Sequence, residues 1–178
     1  MLIRTEAPAD ILAIDRLLAA TFDSDQEAKL VMQLRENSRL TLSLVACTDD
    51  GEVVGYVLFT PVLVDGEDFG WQGLAPLAVR ADYRGQGIGG QLVREGLASL
   101  LEFGYPACVV LGDPAYYSQF GFADAALHGL RCQWSVPEGA FQFCSMAELA
   151  PISPEKGQLA LVSYSPEFGQ VFPEDGEQ

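Results

Sequence analysis

Apolar residues recur along this chain in two rhythms, and the changes between them mark its elements. Leu2-Ile3-Arg4-Thr5 reads as a short first strand, after which Ile11, Ile14, Leu17 and Leu18 repeat at helical spacing behind Pro8-Ala9-Asp10. A second helix is expected from about Asp25 to Glu36, with Leu30, Val31 and Leu34 inward and Ser24, Asp25 and Glu27 able to cap its start. Leu40 to Thr48 and Val53 to Val64 are rich in Val, Leu, Thr and aromatics, and Asp49-Asp50-Gly51-Glu52 between them predicts a hairpin. After a turn at Asp65-Gly66-Glu67-Asp68, Trp71 to Val79 is almost wholly apolar, which implies a strand covered on both faces. Pro76 falls inside that strand and has no N–H to give a neighbour. The sheet is therefore expected to bulge or part there, leaving backbone groups free to bind something.

Helical spacing returns from about Ile88 to Phe103, with Leu92, Val93, Leu97, Leu100 and Leu101 on the inner face and Gly104 near the end. Cys108-Val109-Val110-Leu111 then reads as a short buried strand, so strand, helix and strand form a β-α-β unit with parallel strands. Pro114 to Phe120 has room for about two helical turns, ended by Gly121. Leu127 to Trp134, Phe141 to Cys144 and Gln158 to Tyr164 are expected to be further strands. One domain over residues 1–172 follows, with a frayed acidic tail at 173–178.

Charge and composition narrow the class. With 25 acidic against 10 basic residues the net charge is -15, which disfavours nucleic acid or an anionic membrane surface and suits a cationic substrate. No stretch approaches the roughly 20 apolar residues of a membrane span, and the first residues do not form a signal peptide. Cys47, Cys108, Cys132 and Cys144 form no Cys-x-x-Cys pair and read as buried thiols. The expectation is a soluble cytoplasmic protein without a metal.

Against that background, the segment Arg84-Gly85-Gln86-Gly87-Ile88-Gly89-Gly90 stands out. Glycines between a buried strand and a helix let a ligand approach the backbone, and the helix start adds free N–H groups and the positive end of its dipole. Arg80, Arg84 and Arg94 cluster there, a local reversal of sign that favours a polyphosphate over a plain turn. Gly85, Gly87 and Gly90 fit Gly-x-Gly-x-x-Gly, but the strand-to-glycine spacing and the distance to Asp113 do not suit a dinucleotide unit. A nucleoside-triphosphate loop needs Gly-Lys followed by Ser or Thr, and Gly89-Gly90-Gln91 lacks both.

Leu77-Ala78-Val79 followed by Arg84-Gly85-Gln86-Gly87-Ile88-Gly89, and then Tyr117-Ser118-Gln119-Phe120-Gly121-Phe122, resembles the GCN5-related N-acetyltransferase (GNAT) superfamily. Leu74-Ala75-Pro76-Leu77-Ala78-Val79 and Leu111-Gly112-Asp113-Pro114-Ala115-Tyr116-Tyr117 are similar to its bacterial YhbS-like subgroup, over most of residues 1–135. The resemblance implies an α/β (α+β) fold with a mixed, mostly antiparallel central sheet, a splayed parallel strand pair and helices on both faces. It implies acetyl-coenzyme A as cosubstrate, with backbone groups of Leu77, Ala78 and Val79 holding the pantetheine and acetyl carbonyl. N–H groups from Arg84 through Gly85, Gln86, Gly87, Ile88 and Gly89 would hold the pyrophosphate.

Acyl transfer to an amine then makes three demands. An N–H near Leu77 to Val79 can steady the oxyanion. A tyrosine can protonate the departing thiolate, and the resemblance implies that Tyr117 lies beside the sulfur to do so, with adjacent Tyr116 expected to pack instead. No carboxylate lies on strand 71–79, so the base is open; Asp113, Asp68 or a water chain could relay the proton, while Asp113 before Pro114 equally suits a helix cap and His128 a structural role. Cys108 as a nucleophile is disfavoured by burial, so direct transfer is expected. The acceptor would be a primary amine on a small molecule, a protein N-terminus or a lysine, and the strands past Trp134 would carry a homodimer contact. The alternative is a noncatalytic acyl-coenzyme A-binding or sensing module.

Overall fold

The computed structural model describes residues 1–152 and 157–172. The expected frayed tail at 173–178 lies outside the described residues. Strand β1 (Leu2–Thr5) leads into helices α1 (Ile11–Thr21) and α2 (Gln26–Glu36), and the hairpin follows as β2 (Leu42–Cys47) and β3 (Val53–Pro61). Then come β4 (Leu63–Val64), β5 (Gln72–Val79), helix α3 (Ile88–Glu102), β6 (Ala107–Leu111) and the one-turn helix α4 (Pro114–Tyr117). The chain closes with β7 (Ala123–Asp124), β8 (Leu130–Cys132), β9 (Phe141–Ser145) and β10 (Ala160–Ser163).

Seven strands form the main sheet in the order β1-β2-β3-β5-β6-β9-β7. Every pairing in it is antiparallel except β5 with β6, the two strands that α3 connects. That is the mixed, mostly antiparallel sheet implied by the motifs. Alternation along β2 and β3 sends neighbours to opposite faces. Val45, Tyr56 and Leu58 join Ile14, Leu18, Leu30 and Leu34 of α1 and α2 on one side. Leu44, Val57 and Phe59 join Leu92, Val93 and Leu100 of α3 on the other. Each fully buried leucine contributes about 1.5–3 kcal/mol, so the two layers clamp the central strands from both sides. A polar tie adds specificity: Arg35 of α2 donates from Nε and Nη2 to Glu6 at 2.9 and 3.0 Å, and Ser43 of β2 donates to the same carboxylate.

Three expectations change in detail. The apolar run Val53 to Val64 is two strands, because the chain leaves the main sheet after Pro61 and β4 joins a second sheet, ordered β4-β10-β8. Hydrophobicity alone does not reveal a change of sheet. Residues Ala125–His128 form a 3-10 turn rather than the start of a strand at Leu127. The Asp124 carboxylate caps that turn by accepting from the Ala126 N–H at 3.1 Å, and Leu127 is left exposed. Leu101, expected inward on α3, is exposed, while Gly96 takes a buried place on that face.

Candidate functional site

The sheet opens along β5. Val57 of β3 faces Leu77 and Phe59 faces Leu74, so Ala75 and Pro76 lie against the single residue Leu58 and the strand bulges where proline removes a donor. On its other edge β5 pairs with β6 only from Gln72 to Leu74, against Cys108 to Val110. Both outcomes anticipated for Pro76, a bulge and a parting, therefore occur together.

The register decides which groups face the gap. The Arg80 N–H donates to the Val54 carbonyl at 2.8 Å, which makes Ala78 and Tyr56 the next exchanging pair. By the same alternation Leu77 and Val79 aim their N–H and C=O groups away from β3, toward the side that β6 has left. The Val79 carbonyl accepts from Arg84 Nε at 3.1 Å.

The gap runs into a cavity of about 430 Å³ lined by Leu77, Val79, Arg84, Gly85, Gly87, Ile88 and Gly89 among others. Gly87 precedes α3 with φ 81°, and no side chain caps the helix start. The first N–H groups of α3 are consequently available to a guest, an arrangement that favours an anion. Of the other expected residues, Ala78 is buried in the α1/α2 core and enters through its place in the strand. Gln86 is exposed at the loop tip and is not part of the cavity lining.

Of the tyrosine pair, Tyr116 lines the cavity, its hydroxyl 2.7 Å from where a Cβ on Gly89 would stand. Tyr117 sits outside that lining, its ring against Gly112 just past β6, where a Cβ would meet the ring at 2.5 Å. The two rings meet edge to face, with centroids 5.0 Å apart. Burial, with smaller contributions from Tyr116 and Cys108, pushes the Tyr117 hydroxyl above the usual phenol range. Burial pushes the wholly buried Cys108 thiol well up, which disfavours its thiolate form.

Asp113, Asp68 and His128, weighed above as bases or relays, all lie outside the cavity lining. Asp113 caps α4, accepting from the Ala115 N–H at 3.0 Å. Asp68 accepts from the Gly70 N–H at 2.8 Å. His128 lies in the 3-10 turn with its ring 4.9 Å from that of Phe143. Among the described residues no group of three His, Cys, Asp or Glu is placed to hold a metal ion, and no helix is long and apolar enough to cross a membrane. Thr21 of α1 and Tyr83 also line the cavity. No motif announces Thr21, because its approach depends on how α1 packs across β5.

Comparison with known proteins matches this geometry to a family. A model of the "Acetyltransferase (GNAT) family" matches residues 11–122. The chain is 56% identical over 170 residues to the uncharacterized N-acetyltransferase YhbS of Escherichia coli strain K12, covering 96% of this chain and 99% of that protein. Against the uncharacterized N-acetyltransferase YjhQ of the same strain it is 36% identical over 135 residues, 73% of this chain and 74% of that one. The crystal structure of E. coli YhbS in complex with CoA superposes with a TM-score of 0.86 at 54% identity, covering 94% of this chain and 91% of that one. A GNAT acetyltransferase from Brucella melitensis in complex with acetyl-CoA gives 0.76 at 37% identity, covering 94% and 97%.

Proposed function

Since the chain belongs to the acetyltransferase (GNAT) family, we propose that it binds acetyl-coenzyme A in the β5–α3 cavity and transfers the acetyl group directly to a primary amine. The observation that carries this reading is the continuity of two features in one cavity: the backbone edge of Leu77 and Val79 that β6 leaves unpaired, and the uncapped start of α3. Two similar proteins, from E. coli and B. melitensis, were solved with CoA and acetyl-CoA respectively. Bound acetyl-coenzyme A would supply an activated thioester and a pyrophosphate.

The chain's own residues fit both parts. N–H groups from Arg84 to Gly89 hold the pyrophosphate, and the α3 dipole adds to the attraction. Leu77 and Val79 present peptide groups to the pantetheine arm. An N–H of this same stretch steadies the negative charge that grows on the carbonyl oxygen during attack by the amine. Tyr117, on the β6 side of the gap, gives its proton to the departing sulfur, and the proton shed by the attacking nitrogen as the amide forms restores the phenol. No carboxylate of β5 takes the amine's proton, so the acceptor is expected to react in its neutral form.

The pH dependence follows from burial. Because burial raises the Tyr117 pKa above its ordinary value, the hydroxyl stays protonated, and competent as an acid, through the alkaline range. The kcat/KM is therefore expected to rise with pH as the acceptor ammonium loses its proton, with no falling limb from Tyr117 below about pH 10. A pH–rate profile checks this; a falling limb that disappears in Tyr117→Phe contradicts it.

Release of free thiol from acetyl-coenzyme A, followed across small amines, polyamines, lysine peptides and peptide N-termini, tests the function itself. Acceptor-dependent release is expected. Tight coenzyme A binding with no release for any amine would move the protein to the acyl-coenzyme A-sensing class.

A further inference from the structure

We infer that Arg94 anchors the 3′-phosphate of coenzyme A, an inference that rests on the coenzyme A reading above and adds selection against the 3′-dephospho form. Coenzyme A carries two bridging phosphates and, on the ribose, a separate terminal phosphate. The loop and the start of α3 provide for the first two. Arg94 lies in the second turn of α3 and folds back over the first, its Nη1 3.0 Å from where a Cβ on Gly90 would stand. Its guanidinium stacks 4.9 Å from the centre of the Phe120 ring, on the side of the cavity formed by Tyr116 and Gln119. Along the chain that position follows the 84–89 loop, within α3.

Several observations favour a phosphate there. Arg94 is the one residue common to this cavity and a neighbouring recess of about 450 Å³, so a ligand extending from the first toward the second passes over it. The nearby arginines are committed: Arg80 pairs with Glu52 and Asp82, and Arg84 donates to the Val79 carbonyl. Among the described residues Arg94 holds no carboxylate, and Phe120 fixes the guanidinium plane without neutralising it. Glu95 lines the recess and repels an anion from its interior, which keeps a phosphate at Arg94. In a chain of net charge -15, a pre-positioned free arginine beside a polyphosphate site is suited to charge-assisted, bidentate phosphate binding.

Titration calorimetry with coenzyme A and 3′-dephospho-coenzyme A, on the natural protein and on Arg94→Gln, tests the assignment. Arg94 is exposed, so the variant keeps the fold. The natural protein is expected to bind coenzyme A about tenfold more tightly than the dephospho form. Arg94→Gln should lose about tenfold for coenzyme A, stay within about twofold for the dephospho form, and bring the ratio close to one. Equal losses for both ligands would place Arg94 on the shared pyrophosphate and overturn the assignment, as would an unchanged preference. Failure of the natural protein to bind either ligand would instead remove the coenzyme A reading.

Discussion

Tyr117→Phe is expected to lower kcat about a hundredfold while changing the dissociation constant of coenzyme A by less than about twofold. General acid catalysis contributes about 10²–10⁴-fold, and removing one hydroxyl deletes the proton donor and little else. Tyr117 is mostly buried against Gly112, Phe120 and Phe122 through its ring, and the phenylalanine ring preserves those contacts. Its hydroxyl is absent from the lining of the phosphate cavity, so affinity should be spared. The control is the neighbouring tyrosine. Tyr116 faces the start of α3, and Tyr116→Phe should weaken coenzyme A modestly with kcat retained. Single-turnover thiol release with both variants separates the roles. Equal kcat in the natural protein and Tyr117→Phe eliminates Tyr117, and a hundredfold fall in Tyr116→Phe alone transfers the role.

What was legible beforehand was local. The Asp49–Glu52 turn, the helix behind the glycine loop and the parallel strand after it depend on contiguous residues, and each appears as expected. Pro76 forecast a parting of the sheet because a missing N–H acts at its own position. The rest depends on distant parts of the chain. β4 leaves the main sheet because β10, nearly a hundred residues later, pairs with it, and Asp65 fixes that contact by accepting from the Leu161 N–H at 2.8 Å. Thr21 reaches the cavity through helix packing. The contrast between Tyr116 and Tyr117 follows from Gly112 and Gly89 standing on different walls, which spacing along a one-turn helix does not encode.

Gly87→Val should weaken coenzyme A binding by roughly tenfold to a hundredfold, an effect attributable to backbone conformation. Gly87 holds φ at 81°, and a Cβ there would meet nothing within 4 Å, so added bulk is tolerated while the dihedral is not. A β-branched residue at positive φ costs about 1–3 kcal/mol, and the loop is expected to relieve that strain by turning its N–H groups out of the cradle. At about 1.4 kcal/mol per tenfold, the loss in competent population gives the range stated. Gly51 supplies the matched control. It lies in the β2–β3 turn at φ 84°, also with nothing within 4 Å of its Cβ position, and outside the phosphate cavity. Gly51→Val should incur a similar backbone strain, lower the melting temperature and leave coenzyme A affinity unchanged. If calorimetry finds equal affinities in the two valine variants, the 84–89 loop is not the cradle, and the pyrophosphate must be held elsewhere.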